Sequence, residues 1–100
     1  MTRPSLLDPA AVAALVESLP GWTLAGNGKT IVRRFRFPDF DATMRFVNAL
    51  ADVAREQDHH PDMKVGDNYC EVLFTTHDAG GLTSLDATCA RAAQELAGPG

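Results

Sequence analysis

The run from Phe40 to Gln57 constrains the chain more than any other stretch. Its apolar residues recur at helical spacing, with Phe40, Met44, Val47, Ala51 and Ala54 on one face and Ala42, Phe46, Ala49 and Val53 on an adjacent one. Immediately before it, Ile31, Phe35 and Phe37 alternate with Val32, Arg34 and Arg36, the period-two pattern of a strand with one dry face. A chain that changes period so abruptly must pack a helix on a sheet. The helix has to end before Pro61, because the residue ahead of a proline is pushed out of the α region. Its apolar arc is wider than one sheet contact requires. The second dry face is therefore expected to pack on another copy, in a homodimer or homotetramer formed through the 40–57 helix.

The remaining segments fall into place around this pair. Asp8-Pro9 ahead of AAVAALVESL supplies a capping side chain and a proline for the first helical turn, with Val12, Leu15, Val16 and Leu19 as the apolar stripe and Pro20-Gly21 as the stop. WTLA and TIVRRFRF, joined by GNGK, read as a hairpin. MKV and YCEVLFTT read as two further strands joined through Gly66-Asp67-Asn68, with Cys70, Val72 and Phe74 sharing a face. Arg33 falls on the dry side of its strand and is expected at a strand end, an edge or a subunit contact. After the Gly80-Gly81 turn, Thr83 with Asp86 three positions later opens a helix to Leu96 by an acidic variant of the capping box. The order α-β-β-α-β-β-α predicts an α+β fold, a four-stranded antiparallel sheet with three helices on one face. A chain of 100 residues has material for one core, so residues 1–100 are expected to form a single domain with loose ends at 1–6 and 97–100.

Composition removes several classes of function. Nine basic against thirteen acidic residues give a formal charge of −4, which argues against binding nucleic acid by phosphate neutralisation. The basic cluster in IVRRFRF reads as the wet face of a strand. No apolar run approaches the roughly 18 residues of a membrane span, and MTRPSLLDPA lacks a signal-peptide core, so a soluble cytoplasmic protein is expected. Cys70 and Cys89 stand alone in apolar surroundings and read as buried free thiols.

REQDHHPDM gathers His59 and His60 at the end of the long helix, and His77 is the only other histidine. Three readings compete. Adjacent histidines on a turn can be plain surface residues favoured by the negative end of a helix. Together with His77 and with Asp58 or a cysteine they can supply metal ligands, although neighbouring residues point to different sides and no metal-binding frame is present. They can also exchange protons with a substrate, since an unperturbed imidazole titrates near pH ~6.5 and one copy can donate while another accepts.

DHHPDM, then Tyr69, then TTHDAGGL with Asp86 nine residues after its histidine, resembles the pterin-4a-carbinolamine dehydratase family, also called the dimerisation cofactor of a homeodomain transcription factor. The likeness runs from Gly21-Trp22 through FRFPDF to the last helix. It implies dehydration of a 4a-hydroxytetrahydropterin to the quinonoid dihydropterin, recycling a cofactor spent by aromatic amino acid hydroxylases, with neither metal nor organic cofactor. By position, His59 and His77 resemble the family's acid–base pair and His60 its substrate-orienting histidine. The resemblance places Trp22, Asp58, Pro61, Thr76, Asp78 and Asp86 at the substrate; Asp86 also reads locally as a helix-capping partner, and Trp22, a lone tryptophan beginning a strand, also reads as plain core. Arg55, Asp67 and Leu85 depart from the family pattern at positions that are commonly acidic, aromatic and basic. A different implication of the same resemblance is a binding, assembly or transcriptional-cofactor protein on this scaffold.

Overall fold

The computed structural model describes residues 5–98. Helix α1 (Pro9–Ser18) begins where the Asp8 carboxylate accepts the Ala11 N–H at 2.8 Å, with proline in the first turn. Strands β1 (Thr23–Ala25) and β2 (Thr30–Arg36) form the first hairpin. Its turn places Gly26, Asn27 and Gly28 at positive φ, a conformation open to glycine and tolerated by asparagine. Helix α2 (Phe40–Gln57) follows, capped by Asp39, and leads to β3 (Asp62–Val65) and β4 (Tyr69–Phe74). A short 3-10 turn, His77–Ala79, precedes α3 (Ser84–Ala97).

The sheet order is β1-β2-β4-β3, with every neighbouring pair antiparallel. The crossover through α2 therefore brings β4 beside β2, with Ile31 opposite Phe74 and Phe35 opposite Cys70. These side chains, with Val72, point to one face and meet Leu15 and Leu19 of the α1 end, Phe46 and Leu50 of α2, and Cys89, Ala90 and Ala93 of α3. All three helices cover that face. The opposite face is open and carries Arg34 paired with Glu71 at 3.2 Å and lying over the Tyr69 ring at 4.5 Å.

The element order and the α+β class match the expectation from sequence, and α2 has the predicted bounds. The buried stripe of α2 does not. It comprises Thr43, Phe46, Leu50 and Ala54, running between the two predicted faces, while Phe40 is 54 % exposed. Thr43 is admitted to the core because its hydroxyl contacts the Asp39 and Asp67 carbonyls at 2.9 and 3.0 Å, so a buried polar group keeps its hydrogen bond. Arg33 is at neither a strand end nor a sheet edge, two of the three places expected for it. It lies mid-strand on an inner strand, where it donates to the Pro20 carbonyl at 2.9 Å and stacks its guanidinium over Phe35. Of the predicted loose ends, residues 1–4 and 99–100 lie outside the described residues, and Ala97 is the last residue of α3.

Leu50 is fully buried at the contact of α2 with the sheet. Leu50→Ala is expected to cost about 2–5 kcal/mol by lost burial and an unfilled cavity. The loss should appear as a lower urea midpoint with unchanged slope.

Candidate active site

Helix α2 ends in a Schellman closure: the Asp58 N–H meets the Arg55 carbonyl at 3.3 Å and the His59 N–H meets the Ala54 carbonyl at 3.0 Å. Asp58 holds the left-handed position with φ 50°, where aspartate is among the better tolerated non-glycine residues. The reversal sends two adjacent histidines to different environments. His59 turns inward and is 9 % exposed, whereas His60 remains at the surface. Pro61 follows, half-buried, and starts the chain toward β3.

Across from this turn, β4 runs out at Phe74 and the chain passes through Thr75 and Thr76 into the 3-10 turn that begins with His77. Thr76 bridges back to Gly81, its N–H meeting the Gly81 carbonyl at 2.9 Å, which fixes the loop carrying His77. The two segments enclose a cleft of about 240 Å³ lined by Asp58, His59, His60, Thr75, Thr76, His77 and Asp78. All three histidines of the chain therefore reach one cavity. A larger hollow of about 520 Å³, lined by residues of α1 and α3, contains no histidine and only Arg91 and Glu95 as charged groups.

The floor of the cleft is polar and dry. His59 Nε2 lies 2.6 Å from Asp86 Oδ1, and the carboxylate is fully buried. The other oxygen, Oδ2, accepts from the Thr76 hydroxyl at 2.8 Å and from the Thr83 N–H at 2.9 Å. Asp86 thus completes the capping box of α3, as its local sequence reading had it, and also contacts the imidazole. The flat face of His59 stacks on Phe74, with centroids 5.9 Å apart and planes 13° from parallel.

Of the residues singled out from sequence, Asp58, His59, His60, Thr76, His77 and Asp78 line the cleft, and Asp86 lies directly beneath it. Pro61 flanks the turn. Trp22 does not line the cleft: it is core, set edge-on to Phe35 and tilted against Phe74, and its indole N–H is buried with no partner among the described residues. Phe74, Thr75 and Thr83 join the site without having been singled out for it. Phe74 carried only a core signal and Thr83 only a cap signal, and a single strand pattern does not show that the two meet around one aspartate. Arg55 pairs with Asp52 on the surface, Asp67 sits in the β3–β4 turn, and Leu85 lies in the first turn of α3; none of the three lines the cleft.

A profile of the pterin 4 alpha carbinolamine dehydratase family matches residues 5–96. The chain belongs to this family. A relative from Stenotrophomonas maltophilia (strain K279a), named "Putative pterin-4-alpha-carbinolamine dehydratase", is 49% identical over 84 residues, covering 84% of this chain and 72% of the relative. A relative of the same name from Xanthomonas campestris pv. campestris (strain B100) is 47% identical over 90 residues, covering 90% of this chain and 76% of its own length. Among solved structures, a transcriptional coactivator/pterin dehydratase from Brucella melitensis superposes with a TM-score of 0.89 at 32% identity, covering 92% of this chain and 98% of that one. A pterin dehydratase-like protein identified as a RuBisCO assembly factor in the alpha-carboxysome gives 0.69 at 25% identity, over 80% of this chain and 93% of that one. Among the described residues, no helix of this pterin carbinolamine dehydratase family member is long and apolar enough to cross a membrane.

Neither cysteine lines the cleft. Both are free and fully buried. Burial raises the Cys70 thiol from 9.0 to about 11, and burial followed by the nearby Asp86 charge raises Cys89 to about 11. The unfolded chain gives up these protons first, so stability should fall as pH rises from 9.0 to about 11. Urea midpoints measured across that window should decline, and a Cys70→Ala, Cys89→Ala double variant should decline less.

Proposed function

We propose that the cleft dehydrates a 4a-hydroxytetrahydropterin to the quinonoid dihydropterin and water, in the cytoplasmic recycling of a cofactor spent by aromatic amino acid hydroxylases. The observation that carries this reading is the convergence of His59, His60 and His77, from segments far apart in the chain, on a single cavity in a member of this family. The reaction needs a proton delivered to the 4a-hydroxyl as the carbon–oxygen bond breaks. It also needs a proton removed from the adjacent ring nitrogen as the new carbon–nitrogen double bond forms. Two imidazoles in opposite protonation states accomplish both, and no net proton is gained or lost. His59 and His77 take these roles, the face of the ring bearing the hydroxyl deciding which is the acid. His60 orients the ring, with Asp58 and Asp78 at the rim. The cavity is smaller than the ~300–1,000 Å³ of pockets that engulf drug-sized ligands, which suits a flat bicyclic ring with its side chain left in solvent.

Freshly generated 4a-hydroxytetrahydropterin should disappear faster with the protein than without it, and a rate equal to the spontaneous one refutes the reading. His59→Ala or His77→Ala should each slow turnover by roughly 10²-fold or more.

The exposed Phe40, with half-buried Met44, Val47 and Ala51 beside it along α2, supports self-association through that helix. A dimer or tetramer in light scattering that dissociates on Phe40→Asp and Met44→Asp substitution is the expected result. The likeness to a structure described as a RuBisCO assembly factor supports a second reading, a binding or assembly role. That reading gains if a stoichiometric partner co-purifies with a protein that leaves the pterin intermediate untouched.

A further inference from the structure

Four hydrogen bonds around the buried aspartate form a chain whose direction is fixed at both ends. At one end the Leu85 N–H, which can only donate, gives to Thr83 Oγ1 at 3.2 Å. At the other end the Asp86 carboxylate, which when ionised can only accept, takes the Thr76 hydroxyl proton at 2.8 Å. Thr76 has no second proton, so the 2.8 Å contact between the two hydroxyls must be a donation from Thr83 to Thr76. With Oδ2 filled by Thr76 and by the Thr83 N–H, Oδ1 is left for His59 Nε2 at 2.6 Å. An acceptor there requires the imidazole to carry hydrogen on Nε2. In the neutral ring, Nδ1 then holds the lone pair, and it makes no hydrogen bond among the described residues.

We propose that Thr76 is a positioning residue: its hydroxyl, the central link of this one-way chain, locks the Asp86 carboxylate so that His59 keeps Nε2 protonated and exchanges protons with substrate through Nδ1. Thr76 lines the cleft, yet its hydroxyl is spent on Asp86, so it acts through the histidine and not on the ring of the substrate. The chain also ties the tautomer to the first turn of α3, since the same Thr83 and Asp86 build the capping box. Phe74 leaves the stacked ring no freedom to flip without disturbing the core. The kinetic half of this proposal rests on the dehydratase reading, and the tautomeric half does not.

The test uses isotope-labelled histidine in the full chain, with imidazole nitrogen chemical shifts followed through a rising pH series until they no longer change, so that the neutral rings are the ones compared. His59 in the unaltered protein should show a protonated Nε2 and a bare Nδ1. Thr76→Val, which keeps the shape and removes the donor, should populate both tautomers, and Thr76→Ser should restore the single form. Thr76→Ala serves as a second donor-free variant if valine is not accepted by the fold. In turnover, the donor-free variants should lose roughly 10- to 10²-fold in kcat with KM little changed, and serine should recover most of it. A His59 carrying its proton on Nδ1, or one whose tautomer is the same in all four proteins, overturns the proposal. An enzyme inert toward the pterin but with the expected tautomer shifts would refute the dehydratase reading alone.

Discussion

The carboxylate of Asp86 is the point on which the arrangement of this molecule turns. It is fully buried, and a buried charge is tolerated only where donors replace the water it has lost. The Thr83 N–H and the Thr76 hydroxyl donate to one oxygen and His59 Nε2 lies 2.6 Å from the other, three partners from three separate parts of the chain: the cap of α3, the end of β4 and the turn after α2. Each is on a segment that would otherwise be a surface connection. The aspartate thus converts three loops into one rigid wall of the cleft, and does so at the place where the sheet's central strand runs out.

The long helix and the strand before it were legible because their periods are strong and their ends are marked. Asp39 caps one end of α2, and Pro61 lies just beyond the other. The orientation of the helix was less legible. Apolar counting passes over Thr43, whose burial depends on a carbonyl twenty-four residues away at Asp67, and it does not tell that Phe40 stays clear of this chain's own core. Arg33 sits mid-strand for a related reason. A long cation on an inner strand is acceptable when its guanidinium both lies over an aromatic ring and reaches a backbone carbonyl, and neither condition can be seen in a local pattern.

The candidate site was legible in parts. His59, His60 and His77 stood out as titrating groups, but their meeting depends on β4 crossing back beside β2 and ending level with the α2 turn, which spacing alone does not determine. The family resemblance supplied that link, and the geometry brings these side chains to the same cavity. Trp22 shows the opposite case. Its position in the family pattern pointed to the substrate and its local sequence to the core, and its place among Phe35 and Phe74 is that of an ordinary core residue. The unequal burial of His59 and His60 comes from the Schellman closure, a backbone event signalled in the sequence only by Asp58 and Pro61.

Phe74 is 1 % exposed, and it leans on Trp22 while also serving as the platform for His59. Interior and cleft are therefore separated by the thickness of a single benzene ring. Substitutions that an ordinary protein core would absorb as harmless repacking would here tilt the imidazole. Drift in the interior of such a protein is constrained by the geometry of its cleft as well as by its folding, and the range of acceptable residues around the tryptophan should be narrower than volume alone would allow.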